Sequence, residues 1–286
     1  MINIIYTVLL FNLLIIIFKL FERFNIDNLQ ALIINYFTAA VCGYIFLEKT
    51  FSLSNIFIAS WIYHAMILGS IFIVVFNFYA YGIQKVGVSA TTVANRMSLV
   101  IPISVALMFY PDDNITIIKI MGFILALIGI YLTSTNKGKL NFNKKYLWLI
   151  ILVFVGQGLL DSIFNDAKYL LSNGEDMLFF ISIFLIAGIS GLLILSGRSI
   201  SSPIKFEVKN IFWGIIFGVP NFFSLLFFLK ALRSPDLNSS VVFPLVSMGV
   251  VVLSAIIGIF LFKEKLTKSN WIGIVFAISA IAVFSL

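Results

Sequence analysis

Long apolar runs, broken at short intervals by charged or turn-forming residues, dominate the chain. They fall at 2–21, 29–47, 61–84, 89–110, 115–133, 146–170, 176–196, 209–231, 238–262 and 269–286. Each approaches the roughly 20 apolar residues that an α-helix needs to cross the hydrocarbon core of a bilayer. The pattern therefore predicts an all-α integral membrane protein with ten transmembrane helices. The breaks carry the chemistry that ends helices: Glu22-Arg23 with Asp27-Asn28, Glu48-Lys49, Pro111-Asp112-Asp113-Asn114, Ser172-Asn173-Gly174-Glu175, Gly197-Arg198 to Pro203, Ser234-Pro235-Asp236 and Lys263-Glu264-Lys265. The longest polar break, from Asn136 to Lys145, carries four lysines near the middle of the chain.

That central break suggests two halves, and the chain repeats across it. A slide of 151 residues superposes the third-to-fifth runs on the eighth-to-tenth, so that Ala80 meets Ala231, Ser89 meets Ser240, Met97 meets Met248, Phe109 meets Phe260, Thr116 meets Thr267, Gly122 meets Gly273 and Ala126 meets Ala277. The acidic turn Asp112-Asp113 falls on Lys263-Glu264. A slide of 149 sets Lys19 on Lys168, Asp27 on Asp176 and Asn12 on Asp161. The expected organisation is a first five-helix repeat over 1–136, a lysine-rich connection over 137–145 and a second five-helix repeat over 146–286. Five is odd, so the halves are expected to enter the membrane in opposite orientations, as inverted repeats.

Composition agrees. Of 286 residues, 61% are hydrophobic and 11% charged, where soluble domains carry about 25% charged residues. Ten spans leave only short connections and no room for a separate soluble domain. The one cysteine, Cys42, excludes an internal disulfide or a multi-cysteine metal site, and no cofactor or metal is expected. The net charge of +7 is spread through the short connections rather than over one solvated face, which argues against nucleic acid as a partner and for a loop charge bias. The opening residues lack the basic leader and cleavage site of a signal peptide, and read as the start of a retained first helix.

The tail Phe260-Leu-Phe-Lys-Glu264-Lys-Leu-Thr267, followed by Trp271-Ile-Gly273-Ile and an apolar run, resembles the end of an EamA-type repeat of the drug/metabolite transporter (DMT) superfamily. Asp113, Thr116 and Gly122 echo it in the first half, with Pro102 in the preceding run. The first half has aspartate where glutamate is usual, and Pro102 and Pro244 do not align between halves. The resemblance implies a ten-helix, two-repeat transporter with a central cavity lined by helices of both halves. It names no substrate, since members carry amino acids, drugs, nucleotide sugars and sugar phosphates.

Charges inside apolar runs are the sharpest local signals, because a charge in hydrocarbon costs at least about 2.5 kcal/mol unless paired or hydrated. Arg96 lies seven residues inside the fourth run, about 10 Å from its start at 1.5 Å per residue. It reads either as a guanidinium that binds a substrate carboxylate or phosphate or as a side chain that snorkels or pairs structurally. Thr92 and Asn95 share its helical face. Asp161, with Gln157 before it and Asn165 after, makes a polar stripe at i, i+4 and i+8; it reads as a protonatable coupling site, an anchor for a substrate amine, or a salt-bridge partner of Arg96 or Lys168. Asn12 lies at the repeat-equivalent place in the first run. Asn77, Tyr79 and Tyr81, with Asn221 and Ser224, are candidates to orient substrate or to bond between helices. His64, beside Trp61 and Tyr63, reads first as an interfacial anchor and second as a proton relay. Glu264 and Asp113 suit turn-fixing roles.

These residues point to a secondary transporter working by alternating access. The best-matching substrate is an amino acid or related carboxylate, moved outward across the cell membrane as a multi-pass protein, with a coupling proton or exchange substrate and a homodimer left open. Nucleotide sugars or drugs are alternative cargoes. An integral membrane enzyme acting on lipid or peptide is the rival class, but the runs contain no HExxH, no GxSxG and no Gly-Asp catalytic pair. Counting lysines and arginines by loop gives 13 on the side of the odd-numbered loops and 5 on the other. That would put both termini outside, whereas ten-span relatives of the resembled family keep theirs in the cytoplasm. Orientation stays open.

Overall fold

A computed structural model of the chain describes residues 1–47, 56, 58–85, 88–109, 116–134, 144–172, 174–201, 207–262 and 267–284. Among these the regular structure is helical. The α-helices are α1 (Ile2–Arg23), α2 (Asn28–Ile45), α3 (Ile62–Lys85), α4 (Val88–Met97), α5 (Val100–Phe109), α6 (Ile117–Ser134), α7 (Leu147–Leu170), α8 (Asp176–Ser201), α9 (Val208–Leu232), α10 (Ser239–Phe262) and α11 (Lys268–Phe284). Seven of them are long and apolar enough to cross a membrane, while Ala94–Phe109 and Ile117–Leu132 are shorter apolar stretches. In hydrocarbon only a helix or a closed barrel satisfies its backbone groups internally. The outward faces are apolar as well: Ile2, Ile5, Leu9 and Leu13 are exposed along α1, and Leu192 and Leu193 along α8. A helix apolar on all sides is a membrane helix, and the chain is a multi-pass membrane protein. The Asp112-Asp113 and Glu264 turns, and the lysines at 137 and 139, lie outside the described residues.

Local chemistry sets the helix ends. Asn25 adopts φ 49°, a left-handed conformation that Asn tolerates. Ile26 N–H then bonds back to Phe21 C=O at 2.9 Å, closing α1. Asp27 caps α2 by accepting from Gln30 N–H at 3.1 Å. One predicted span departs from expectation: the apolar run 89–110 is interrupted at Ser98-Leu99, between α4 and α5. Pro102 has no N–H to offer Ser98 C=O. Ser98 C=O takes Ile101 N–H instead, at 2.9 Å, and Leu99 N–H bonds Arg96 C=O at 3.4 Å. The Ser98 hydroxyl bonds Asn95 C=O at 2.5 Å. The turn leaves Pro102 in the first turn of α5, where proline is tolerated.

The contacts divide the chain into two compact units, residues 1–12, 78–165 and 227–286 in the first, and 13–77 and 166–226 in the second. Each draws on segments from both sides of the central lysine-rich break. In the first unit α6 and α11 lie together: a Cβ on Gly129 would fall 2.8 Å from Ala277 N, and Asn270 Nδ2 donates to Leu132 C=O at 3.2 Å. Residue numbers rise on one helix as they fall on the other, so the pair is antiparallel. Ala126, Ala277 and Ala280 are fully buried there.

In the second unit α2 packs antiparallel on α8. Gly43 lies against Ile181, Gly188 against Phe37 and Gly191 against Ile33, each too close to admit a Cβ without displacing the neighbour. On another face α2 runs parallel to α9, with Gly214 against Ala31 and Ile34, and Gly218 against Asn35 and Thr38. Rings fill the remaining space: Phe180, Phe184 and Phe222 are fully buried and in mutual contact.

Candidate functional site

The polar residues of the first unit converge. Asn95, in the last turn of α4, donates from Nδ2 to Gln157 Oε1 on α7 at 3.0 Å. Gln157 Nε2 donates in turn to Asp161 Oδ1 at 3.0 Å. The row has a direction, each amide giving a hydrogen toward the carboxylate. Because Gln157 and Asp161 are one turn apart, they share a face of α7, as their spacing predicts. The close approach that lets Asn95 reach them depends on Gly158: a Cβ there would lie 2.8 Å from Ile101 Cβ, at the start of α5. A second small residue, Gly82 near the end of α3, admits Thr91 of α4.

Arg96 sits beside this row. Its guanidinium carbon lies over the Phe11 ring at 5.9 Å from the centroid, within cation–π range. Asp161 and Tyr79 are near enough to interact with it electrostatically, but no direct Arg96–Asp161 ion pair forms. Arg96 Nε is buried without a hydrogen-bond partner. Phe11 in turn contacts Phe228, which stacks on Phe164 at 5.7 Å and meets Phe243 edge-on at 5.5 Å. An aromatic floor from α1, α7, α9 and α10 thus underlies the charge and keeps its surroundings weakly polarisable, where each remaining polar contact counts for more. The placement of Asn95 and Arg96 in the last turn of α4 also sets the cation at the negative end of a helix dipole.

Asn12 on α1 and Asn165 on α7 belong to the same unit. Asn12 is buried, bonds Val8 C=O through Nδ2 at 2.8 Å, and leaves Oδ1 unpartnered. Asn165 accepts from Ser239 Oγ at 2.6 Å and leaves Nδ2 unpartnered. Unpaired buried polar atoms are uncommon and expensive. Asn95, Arg96, Gln157 and Asp161 themselves are only partly buried. A half-open row of amide, carboxylate and guanidinium offers donors and acceptors in alternation, the pattern that matches hydroxyl groups, which do both.

Not every expected residue joins this group. The side chain of Thr92 lies outside the described residues. Tyr81, near the end of α3, belongs to the same unit and is 39% exposed. Asn77 and Asn221 belong to the second unit. Asn77 Nδ2 bonds Ile73 C=O in its own helix at 2.8 Å, and Asn221 Nδ2 donates to Asn35 Oδ1 at 3.0 Å, both residues buried. Asn210 bonds Gln30 at 2.9 Å and Asp27 N–H at 3.1 Å, so a ladder of amides joins α2 to α9. The cause is local: α2 is the least apolar of the long helices and satisfies its polar positions sideways. Sequence reading missed Asn35, Phe11 and Asp166. An asparagine in an apolar helix was a visible signal, whereas a phenylalanine among 31 was not. Among the described residues no cluster of His, Cys, Asp or Glu has the composition of a metal site.

The fold has solved counterparts: a crystal structure of another protein superposes with a TM-score of 0.67 over 99% of this chain and 94% of its own, at 12% identity. An uncharacterised protein of Haemophilus influenzae is 30% identical over 294 residues, covering 98% of this chain and 96% of its own length. The family described as "Sugar transport protein" matches residues 81–286, a stretch that contains Asn95, Arg96, Gln157 and Asp161. The wider superfamily implied by the tail motif agrees with this match, and the EamA type stands as a resemblance only. On the family match and the relative together, the chain belongs to the sugar transport protein family, one of the DMT-like transporters.

Proposed function

We propose that the chain is a secondary transporter that carries a small hydroxyl-bearing solute, a sugar or a close relative, across the cell membrane by alternating access. The observation that carries this reading is the half-open row Asn95–Gln157–Asp161 beside Arg96, set among apolar helices on an aromatic floor. Sugars are bound by such planar donor–acceptor groups together with aromatic faces, and the family description points to the same cargo. A carboxylate-bearing metabolite such as an amino acid is the second reading. It draws on Arg96, whose Nε is unpartnered and which lacks a direct acidic partner.

The ten-span, inverted-repeat architecture belongs to this proposal, with α4 and α5 together forming the fourth span. Two helix pairs support it independently. Under the 149-residue slide α2 and α8 are equivalents; their antiparallel contacts centre near Thr38 and Ala187, which are equivalents of one another. Under the 151-residue slide α6 and α11 are equivalents, and in their antiparallel pairing Gly129 meets Ala277, three residues from its own equivalent Ala280. A residue that meets its own repeat equivalent in an antiparallel pair is what a two-fold axis in the membrane plane requires.

The test is a thermal-stability screen in detergent against neutral sugars, sugar acids, amino acids and cationic drugs, since a ligand that binds the folded state raises its stability. Neutral sugars are expected to shift the wild type, and Gln157→Leu is expected to abolish the shift. A shift with amino acids alone, lost in Arg96→Ala, favours the second reading. Shifts that survive both substitutions remove the site.

A further inference from the structure

Arg96 is the member of the site whose bonding is least complete. Its Nε is buried with no hydrogen-bond partner, while the residue as a whole is only half-buried. The contacts it makes are the Phe11 face, 5.9 Å from its guanidinium carbon, and electrostatic interactions with Tyr79 and Asp161. A ring face attracts a cation but does not use the hydrogens in the plane of the guanidinium. Those hydrogens form a flat fork that matches the two oxygens of a carboxylate. A guanidinium among apolar helices is costly to leave in this state, so the fork is the part of the site with most to gain from a solute.

The row beside it has a polarity that a solute must match. Asn95 donates to Gln157 and Gln157 to Asp161 Oδ1, so the amide hydrogens run toward the carboxylate. An ionised carboxylate only accepts, and one bond from Gln157 leaves it further acceptor capacity. Arg96 only donates. A solute lying between them therefore needs an acceptor at the Arg96 end and hydroxyl donors at the Asp161 end. A neutral sugar offers the fork a hydroxyl, whereas a carboxylate offers it two parallel charge-assisted bonds, each about twice as strong as a neutral one. A carboxylate turned the other way would meet the like charge of Asp161, which fixes the orientation. The row and Arg96 together hold one cation, which suits one negative charge; a phosphate monoester brings about two.

We propose that the site prefers a sugar acid, a solute with one carboxylate and several hydroxyls, over the neutral sugar of the same shape. Arg96 grips the carboxylate, and Gln157 and Asp161 take hydroxyls. The proposal rests on the sugar reading of this site and narrows it. The apolar helices and the aromatic floor exclude water around the fork, where a charge-assisted bond counts for most.

The experiment uses matched pairs of D-hexose and D-hexuronate in the gluco, galacto and manno configurations, titrated against the purified wild type with unfolding temperature as the readout. In the pair that fits, the hexuronate is expected to bind at least about tenfold tighter than its hexose, the effect of one added charge-assisted bond. The hexuronamide, which keeps the shape and loses the charge, should fall back to the hexose affinity. That comparison needs only the wild type, so it decides the matter even where a variant fails to fold. In Arg96→Gln the preference should vanish, and in Arg96→Lys, which keeps the charge without the fork, part of it should remain. Equal affinity for hexose and hexuronate, or a preference that persists in the hexuronamide or in Arg96→Gln, overturns the proposal and leaves the sugar reading standing. Binding of no member of any pair overturns the sugar reading itself, and this proposal with it.

Discussion

Gly129→Ala is the sharpest test of the α6–α11 crossing. The added methyl would lie 2.8 Å from Ala277 N, 3.1 Å from Ala277 Cα and 3.2 Å from Ala277 Cβ. Two of these atoms are backbone, so no rotamer relieves the clash, and α11 must withdraw by roughly half an ångström to restore ordinary contact distances. Overpacking of this kind costs about 1–3 kcal/mol. Replacing glycine inside a helix returns up to about 1 kcal/mol of intrinsic propensity. The bond from Asn270 Nδ2 to Leu132 C=O, already 3.2 Å, lengthens further and loses part of the about 1 kcal/mol such a bond contributes. The net expectation is a loss of about 1–2 kcal/mol, the sum of these opposing terms.

Gly197→Ala is the control, because a Cβ there meets nothing within 4 Å. It should be neutral or slightly stabilising. The assay is thermal unfolding of the two variants and wild type in one detergent. If Gly129→Ala proved as stable as Gly197→Ala, the close crossing, and with it one of the two pairs supporting the inverted repeat, would be refuted.

Other substitutions probe different links. Asn35→Leu or Asn221→Leu alone strands a buried amide and should cost about 1–3 kcal/mol, while the double variant should recover much of it; additive losses in denaturation would show that the pair is not coupled. Pro102→Ala restores a backbone donor opposite Ser98 and should raise thermal stability while lowering substrate affinity, because α4 then continues past Asn95 and Arg96; unchanged affinity in a binding titration would sever the helix break from the site. Asp27→Ala removes the α2 cap and the ion contact with Arg198 at 3.7 Å, and should lower the melting temperature by the equivalent of about 1 kcal/mol.

Much of this molecule was legible in the residue pattern, and the exceptions have physical reasons. Helix positions followed from apolar runs because lipid permits few alternatives to a helix. The Gln157–Asp161 contact followed from i, i+4 spacing. The break at Ser98-Leu99 was hidden because the run 89–110 is long enough for one span, and Pro102, its visible cause, is also compatible with an unbroken kinked span. Asn95 was read on the face of Arg96, but its partner lies 62 positions away in sequence, and no local period encodes such a pair. Asn221 reads either as a substrate-orienting residue or as a bond between helices, and its partner Asn35, 186 positions away, joins α2 to α9 within the second unit. Asp166 drew no notice because it follows a stripe ending at Asn165, and only the folding of α3 against α7 brings His64 Nε2 within 2.8 Å of it.

Transport itself is tested most directly by counterflow in proteoliposomes: purified protein is reconstituted, loaded with unlabelled solute and offered a trace of the same labelled solute outside. The account predicts transient accumulation of a labelled sugar by wild type and its loss in both Asp161→Asn and Gln157→Leu, with each variant still folded by thermal unfolding. Absence of counterflow for every sugar, sugar acid and amino acid tried, or counterflow undiminished in both variants, would contradict it.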